Sequence, residues 1–213
     1  MELIISKIVT AIVNLIVFSL IPFIWWLCRH RKKKKNFFKW LGFYTPKLNC
    51  KWWTLLIFAG IYYFFYKFDF TMLLSAEDLN QMESSSAVAT NIYAGLGVVA
   101  IIPAFIENFI ANGVAEEILY RGFLCKRFCS KAGTVWGIII QAVLFGLMHN
   151  VLFLLGGLEV SLWYHILAFI FTGTGALLLG WLNEKMFNGS IIPSILLHGA
   201  GNFLVSMSLA FAK

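Results

Sequence analysis

Charge and proline are both scarce in this sequence: 13% of its 213 residues are charged and only 4 are proline, against 60% hydrophobic. With a mean hydropathy of +0.81, too little polar surface remains to clothe a soluble globule. The chain reads as a single all-α, polytopic membrane domain over residues 1–213. Cysteine is sparse too. Cys28, Cys50, Cys125 and Cys129 show neither CxxC nor zinc-ribbon spacing, so free thiols are expected. No GxSxG elbow and no HExxH pair occurs, which removes the usual signatures of serine and compact zinc hydrolases.

What the sequence has instead is a series of long apolar runs, enough for roughly six spans of about 20 residues joined by short loops. The first, Leu3 to Leu27, is too long for a signal-peptide core and lacks a small-x-small cleavage pattern, so it is expected to remain as a helix. Directly after it comes a basic run, Arg29 to Lys35, followed by Lys39, Lys47 and Lys51. This loop, residues 29–51, holds nine of the 17 Lys and Arg residues: Arg29, Arg31, Lys32, Lys33, Lys34, Lys35, Lys39, Lys47 and Lys51. The positive-inside rule places it in the cytoplasm, where Arg29–Lys35 is expected to meet anionic lipid rather than nucleic acid. Phe37, Phe38, Trp40, Phe43, Tyr44, Trp52 and Trp53 beside it suit headgroup level.

The second span is expected from Trp52 to Leu74, with Lys67 and Asp69 snorkelling or pairing at its outer end. A polar loop follows, residues 75–91, with three acids and no Lys or Arg, which places it outside. A third span from Ile92 to Phe128 runs inward through a kink at Pro103. Spans over Thr134–Leu155, Leu162–Leu182 and Ile191–Phe211 complete the bundle and leave both termini outside. Residues 1–91 then carry the N-terminal spans and the basic loop, and residues 92–205 a core.

An ionisable side chain at membrane depth is costly, so each one is a functional candidate. In NGVAEEILYRGFL, residues 112–124, Glu117 and Arg121 stand four apart and face one another as a neutralising pair. Glu116 points about 100° away on an α-helix and has no such partner in its own segment. At 1.5 Å per residue Glu116 sits about 18 Å from the inner end of span three, His149 about 22 Å into span four, and His198 and Asn202 about 10 and 16 Å into span six. His198 and Asn202 share a helix face, separated by Gly199, Ala200 and Gly201, which leaves room for a substrate or a second backbone.

A carboxylate, two imidazoles and a carboxamide at similar depth suit water-dependent acyl chemistry. Glu116 and His149 would order and deprotonate a water, while His198 and Asn202 would donate to the oxyanion. No cofactor is needed. The residues leave other readings open: zinc held by Glu116, His149 and His198, a proton relay or transporter, or a non-catalytic interaction or immunity protein. His165, beside Trp163 and Tyr164, is expected to pack; Glu107, Asn108 and Asn112 either line a cavity or bond between helices, with structure favoured for Glu107.

EExxxR (Glu116, Glu117, Arg121, then Gly122), FxxxH (Phe145, His149) and HxxxN (His198, Asn202), in this order on separate spans, resemble the CPBP family of intramembrane proteases. That family includes the Rce1-type CAAX prenyl endopeptidases and the bacterial Abi-type proteins. The resemblance covers Ile92 to Val205. It implies helices around a conical membrane cavity open to the cytosol and a metal-independent endopeptidase acting on a membrane-associated peptide or protein. It also implies Glu116 as general base, His149 as its partner on the water, and His198 with Asn202 as the oxyanion site. Glu117 and Arg121 match the remaining positions in a supporting role. The chain is shorter than the eukaryotic prenyl endopeptidases, with six expected spans where those have eight. Its Lys- and Phe-rich composition points to a bacterial plasma membrane, and the bacterial branch is associated with small-peptide processing, bacteriocin self-immunity and peptide signalling.

Overall fold

The computed structural model describes residues 1–29 and 36–212; the stretch 30–35, the bulk of the basic run assigned to lipid contact, lies outside them. The described residues are helical, without strands. In chain order they form α1 (Glu2–Arg29), α2 (Phe37–Leu41), α3 (Trp52–Lys67), α4 (Ala76–Ser84), α5 (Gly97–Ala132), α6 (Thr134–Leu155), α7 (Leu162–Met186) and α8 (Ile192–Ala210). Among the described residues, five helices are long and apolar enough to cross a membrane: α1, α5, α6, α7 and α8. The chain is therefore a multi-pass helical membrane protein.

The expected second span is shorter than its hydropathy suggested. Helix α3 has 16 residues, about 24 Å at the α-helical rise, short of a hydrocarbon core of about 30 Å. The chain leaves the helix at Phe68, in extended conformation, and Asp69 caps a following 3-10 turn by accepting from the backbone N–H of Thr71. The polar stretch 75–91, expected as a loop, contains the helix α4. Ser75 caps α4 by accepting from the Asp78 N–H, and Asp78, 2% exposed, accepts from the Ser161 N–H at 2.7 Å and the Ser161 hydroxyl at 2.6 Å. These bonds, the backbone one foremost, hold the Asp78 carboxyl below its ordinary pKa.

Helix α5 is central, packed by α1, α6 and α8. It begins at Gly97 rather than Ile92, because Gly95 and Gly97 take φ of +69° and +56°, a left-handed pair that separates the preceding turn from the helix. Its irregularity falls beyond Pro103. Ile106–Val114 and Ile118–Cys125 are π-helical, flanking a short α segment at Ala115–Glu117. Such i→i+5 stretches are rare and concentrate at functional sites.

Small residues set the approach of α8 to α5. A Cβ on Gly199 would fall 2.5 Å from Cδ1 of Phe109, and one on Gly113 would fall 3.5 Å from the Cα of Gly199. The two helices therefore meet at backbone distance, which carries His198 to the two glutamates. Gly122, next to Arg121, has the same role towards α2: its Cβ would lie 3.0 Å from the carbonyl of the fully buried Leu41.

Helix α1 exposes most of its apolar surface, as a lipid-facing helix should, but buries Lys7. The Lys7 ammonium donates to Glu107 Oε1 and the Tyr93 hydroxyl to Glu107 Oε2, each at 2.5 Å. Asn14 donates to the Ala111 carbonyl, and Asn108 to Ser206 Oγ. Glu107 and Asn108 thus bond between helices, as favoured for Glu107. His165 likewise bonds across the α6–α7 hairpin, its Nδ1 meeting Asn150 Oδ1 at 3.2 Å.

Candidate active site

Glu116 and Glu117 occupy the α segment between the π stretches of α5, and their side chains part in opposite ways. Glu117 is fully buried and fully engaged. Its Oε1 pairs with Arg121 at 3.0 Å and accepts from His198 Nδ1 at 3.0 Å; its Oε2 accepts from Ser194 Oγ at 2.6 Å. The expected Glu117–Arg121 pair is present, yet the carboxylate does more than neutralise, because it also holds an imidazole from α8.

Glu116 is nearly alone. Its Oε2 is buried without a hydrogen-bond partner. The nearby polar atom is His198 Nε2 at 3.8 Å, beyond direct hydrogen-bond length.

His198 therefore stands between two carboxylates. An ionised carboxylate only accepts, so the bond to Glu117 puts the proton on Nδ1, and the neutral ring carries its lone pair on Nε2, facing Glu116. His149 is oriented by similar logic. Its Nδ1 lies 2.9 Å from the Phe145 carbonyl, which can only accept, so Nε2 is again the free nitrogen.

The phenylalanine of FxxxH gains a physical account from its neighbours. The Phe145 ring lies 4.5 Å from the Arg121 guanidinium, 4.5 Å from the His149 ring, 4.9 Å from the Tyr120 ring and 6.0 Å from the His198 ring. A cation over an aromatic face is stabilised by the ring quadrupole. This contact matters for Arg121, whose Nε and Nη1 have no well-aligned hydrogen bond; the Nη1 contact with Glu117 is an ion pair by distance.

A cavity of about 190 Å³ opens beside these residues, with Tyr62, Arg121, Phe145, His149, His198 and Asn202 on its wall. Three of the expected catalytic groups, His149, His198 and Asn202, share this space. Glu116 is not on the wall and adjoins it through His198. Among the described residues no group of three His, Cys, Asp or Glu side chains converges to hold a metal ion, so the Glu116–His149–His198 ligand set is not assembled in this arrangement.

Two site residues escaped the reading by spacing. Ser194 lies four residues before His198, and the i,i+4 spacing that joined His198 to Asn202 points equally to it. Asn183, fully buried, donates to Ser194 Oγ at 2.7 Å and had no local signal. Ser194 bonds to the carboxylate rather than to an imidazole, so it is not placed as a nucleophile with its base.

Fold and site together define a multi-pass helical membrane protein with His149, His198 and Asn202 on one cavity and Glu116 and Glu117 joined to it through His198. The family described as Type II CAAX prenyl endopeptidase Rce1-like matches residues 98–204, half of the chain and every residue of the site from Glu116 to Asn202. The chain belongs to this Rce1-like family of CAAX-type intramembrane proteases and is, at that level, a peptide hydrolase. Comparison with curated proteins and with solved structures gave no match.

Proposed function

We propose that the protein hydrolyses a peptide bond in a membrane-associated, CAAX-like or small precursor peptide, using a water activated by Glu116 and His149. The observation that carries this reading is Glu116 Oε2, a buried carboxylate oxygen without a hydrogen bond, 3.8 Å from His198 Nε2 and next to a cavity lined by both histidines. Leaving a carboxylate oxygen unpaired at membrane depth is expensive, and a water bound there would satisfy it.

In this mechanism the water oxygen bonds to the scissile carbonyl carbon while its proton passes to Glu116, with the free Nε2 of His149 as second acceptor. The Asn202 carboxamide donates to the oxyanion. His198 joins it once its Nε2 takes the water's proton from Glu116, 3.8 Å away, forming a cation that Glu116 and Glu117 flank. Collapse of the tetrahedral species breaks the C–N bond, and the stored proton goes to the leaving amine. Glu117 and Arg121 act as supports. The same reading places the protein in a bacterial plasma membrane, with loop 29–51 in the cytoplasm and Arg29–Lys35 against anionic headgroups.

The test is cleavage of a quenched-fluorescent peptide library, including a farnesylated CAAX peptide, by the protein in liposomes, with products read by mass spectrometry. Cleavage that persists with chelator is expected. Activity abolished by chelator and restored by zinc would replace the mechanism; ion flux in sealed vesicles without any cleavage would replace the function.

A further inference from the structure

Glu117, Ser194 and Asn183 are all 0% exposed. Polar groups so deeply buried are costly unless bonded, and of their side-chain polar atoms Asn183 Oδ1 alone is left without a hydrogen bond. They form one line drawn from three helices. Asn183 Nδ2 of α7 donates to Ser194 Oγ of α8 at 2.7 Å, Ser194 Oγ donates to Glu117 Oε2 of α5 at 2.6 Å, and Glu117 Oε1 accepts from His198 Nδ1 of α8 at 3.0 Å.

The proton directions are fixed by chemistry. The Asn183 amide nitrogen can only donate, so it occupies a lone pair of Ser194. Ser194 has one proton and two acceptors in reach, Glu117 Oε2 at 2.6 Å and the Ile191 carbonyl at 3.0 Å. The shorter, charge-assisted bond takes it.

Arg121 supplies the reason this line is needed. Its Nε and Nη1 lack hydrogen bonds, and its Nη1 already lies 3.0 Å from Glu117 Oε1, the oxygen that His198 uses. A free carboxylate beside a guanidinium fork turns to pair bidentately, and that rotation would withdraw Oε1 from the imidazole.

We propose that Ser194 and Asn183 are positioning residues that pin Oε2 of Glu117, so that Oε1 stays on His198 Nδ1 and the His198 lone pair stays on Nε2, towards Glu116 and the cavity. Their importance for hydrolysis rests on the proposed role of His198 in peptide cleavage, while the orientation itself does not.

The experiment compares wild type with Ser194→Ala, Ser194→Thr and Asn183→Ala in nanodiscs with ¹⁵N-labelled histidine, assigning His198 by its loss in His198→Gln. Ring-nitrogen shifts report which nitrogen is protonated, and kcat and KM are measured on a cleaved peptide. In wild type Nδ1 of His198 is protonated. In Ser194→Ala it loses that proton to Nε2, which leaves a neutral donor in place of the cation that Glu117 supports, and kcat falls about tenfold, the order expected for a residue that orients a functional imidazole, with KM within about twofold. Ser194→Thr keeps the hydroxyl and restores both readouts; Asn183→Ala shifts them in the same direction as Ser194→Ala. An unchanged Nδ1–H in folded Ser194→Ala overturns the proposal, as does a Ser194→Thr variant that folds yet behaves like alanine. The spectrum decides the positioning whether or not a peptide is cleaved, so failure of hydrolysis and failure of positioning read differently.

Discussion

Replacing either member of the Glu117–Arg121 pair with methionine should destabilise the protein, but unequally. In Arg121→Met the orphaned Glu117 keeps two donors, the Ser194 hydroxyl at 2.6 Å and His198 Nδ1 at 3.0 Å. The cost should fall near the low end of the range for breaking a buried pair, about 3 kcal/mol. In Glu117→Met the guanidinium, 1% exposed, keeps only the Phe145 ring at 4.5 Å and the cavity. His198 Nδ1 loses its acceptor, and Ser194 is left with the Ile191 carbonyl. That loss should reach about 5 kcal/mol. The double variant removes both charges and fills the space with apolar atoms, so it should recover most of the summed loss, losing under about 4 kcal/mol itself, which is a coupling energy above about 4 kcal/mol. Reversible denaturant unfolding in bicelles measures all four species. Single variants within about 1 kcal/mol of wild type, or additive losses, would refute the claim that this pair makes the site's charge tolerable.

Three further outcomes follow from the fold. Lys7→Met should cost about 3 kcal/mol by leaving Glu107 with Tyr93 alone, and Lys7→Met with Glu107→Leu should restore much of it; equal stability of wild type and the single variant in the same unfolding assay would sink this. Asp78 has a folded pKa below its unfolded one, so its contribution is complete above the unfolded value near 3.9 and fades as pH falls through the folded value. Asp78→Asn should lower Tm at neutral pH and flatten the acid limb of a Tm-against-pH series, whereas a parallel limb would contradict the Ser161 contacts. Gly137→Ala would set a methyl 2.4 Å from the Cys129 backbone nitrogen, a clash that no rotamer relieves, so folded yield in detergent should collapse; wild-type yield would show that the α5–α6 turn has room to give.

Much of the site was legible because its motifs obey single-helix spacing. Glu117 and Arg121, and His198 and Asn202, are each four apart, so spacing alone put each pair on one helix face, whereas Phe145 with His149 entered through the family resemblance. What spacing could not carry is bonding between helices. Glu117 looked like a neutralising partner because the i,i+4 rule sees Arg121 and not His198 or Ser194, which lie 81 and 77 residues further along the chain. Lys7 and Glu107 are 100 apart, and their pairing was hidden for the same reason. Helical periodicity also cannot register the π stretches of α5, which interrupt the 100° step on either side of Glu116 and Glu117. Span length failed at α3, where hydropathy continued to Leu74 but the Asp69 cap started a new turn. The α4 helix was readable in principle, since Ser75-Ala-Glu-Asp78 carries a helix-start signature.

The most direct test of the central claim is peptide cleavage by Glu116→Gln against wild type at equal folded yield. Because Glu116 Oε2 has no hydrogen bond to lose, the substitution should leave Tm unchanged or higher. Loss of the general base should still reduce kcat by about 10²–10⁴-fold. Cleavage by the glutamine variant at the wild-type rate would remove Glu116 from the chemistry and, with it, water activation by this carboxylate.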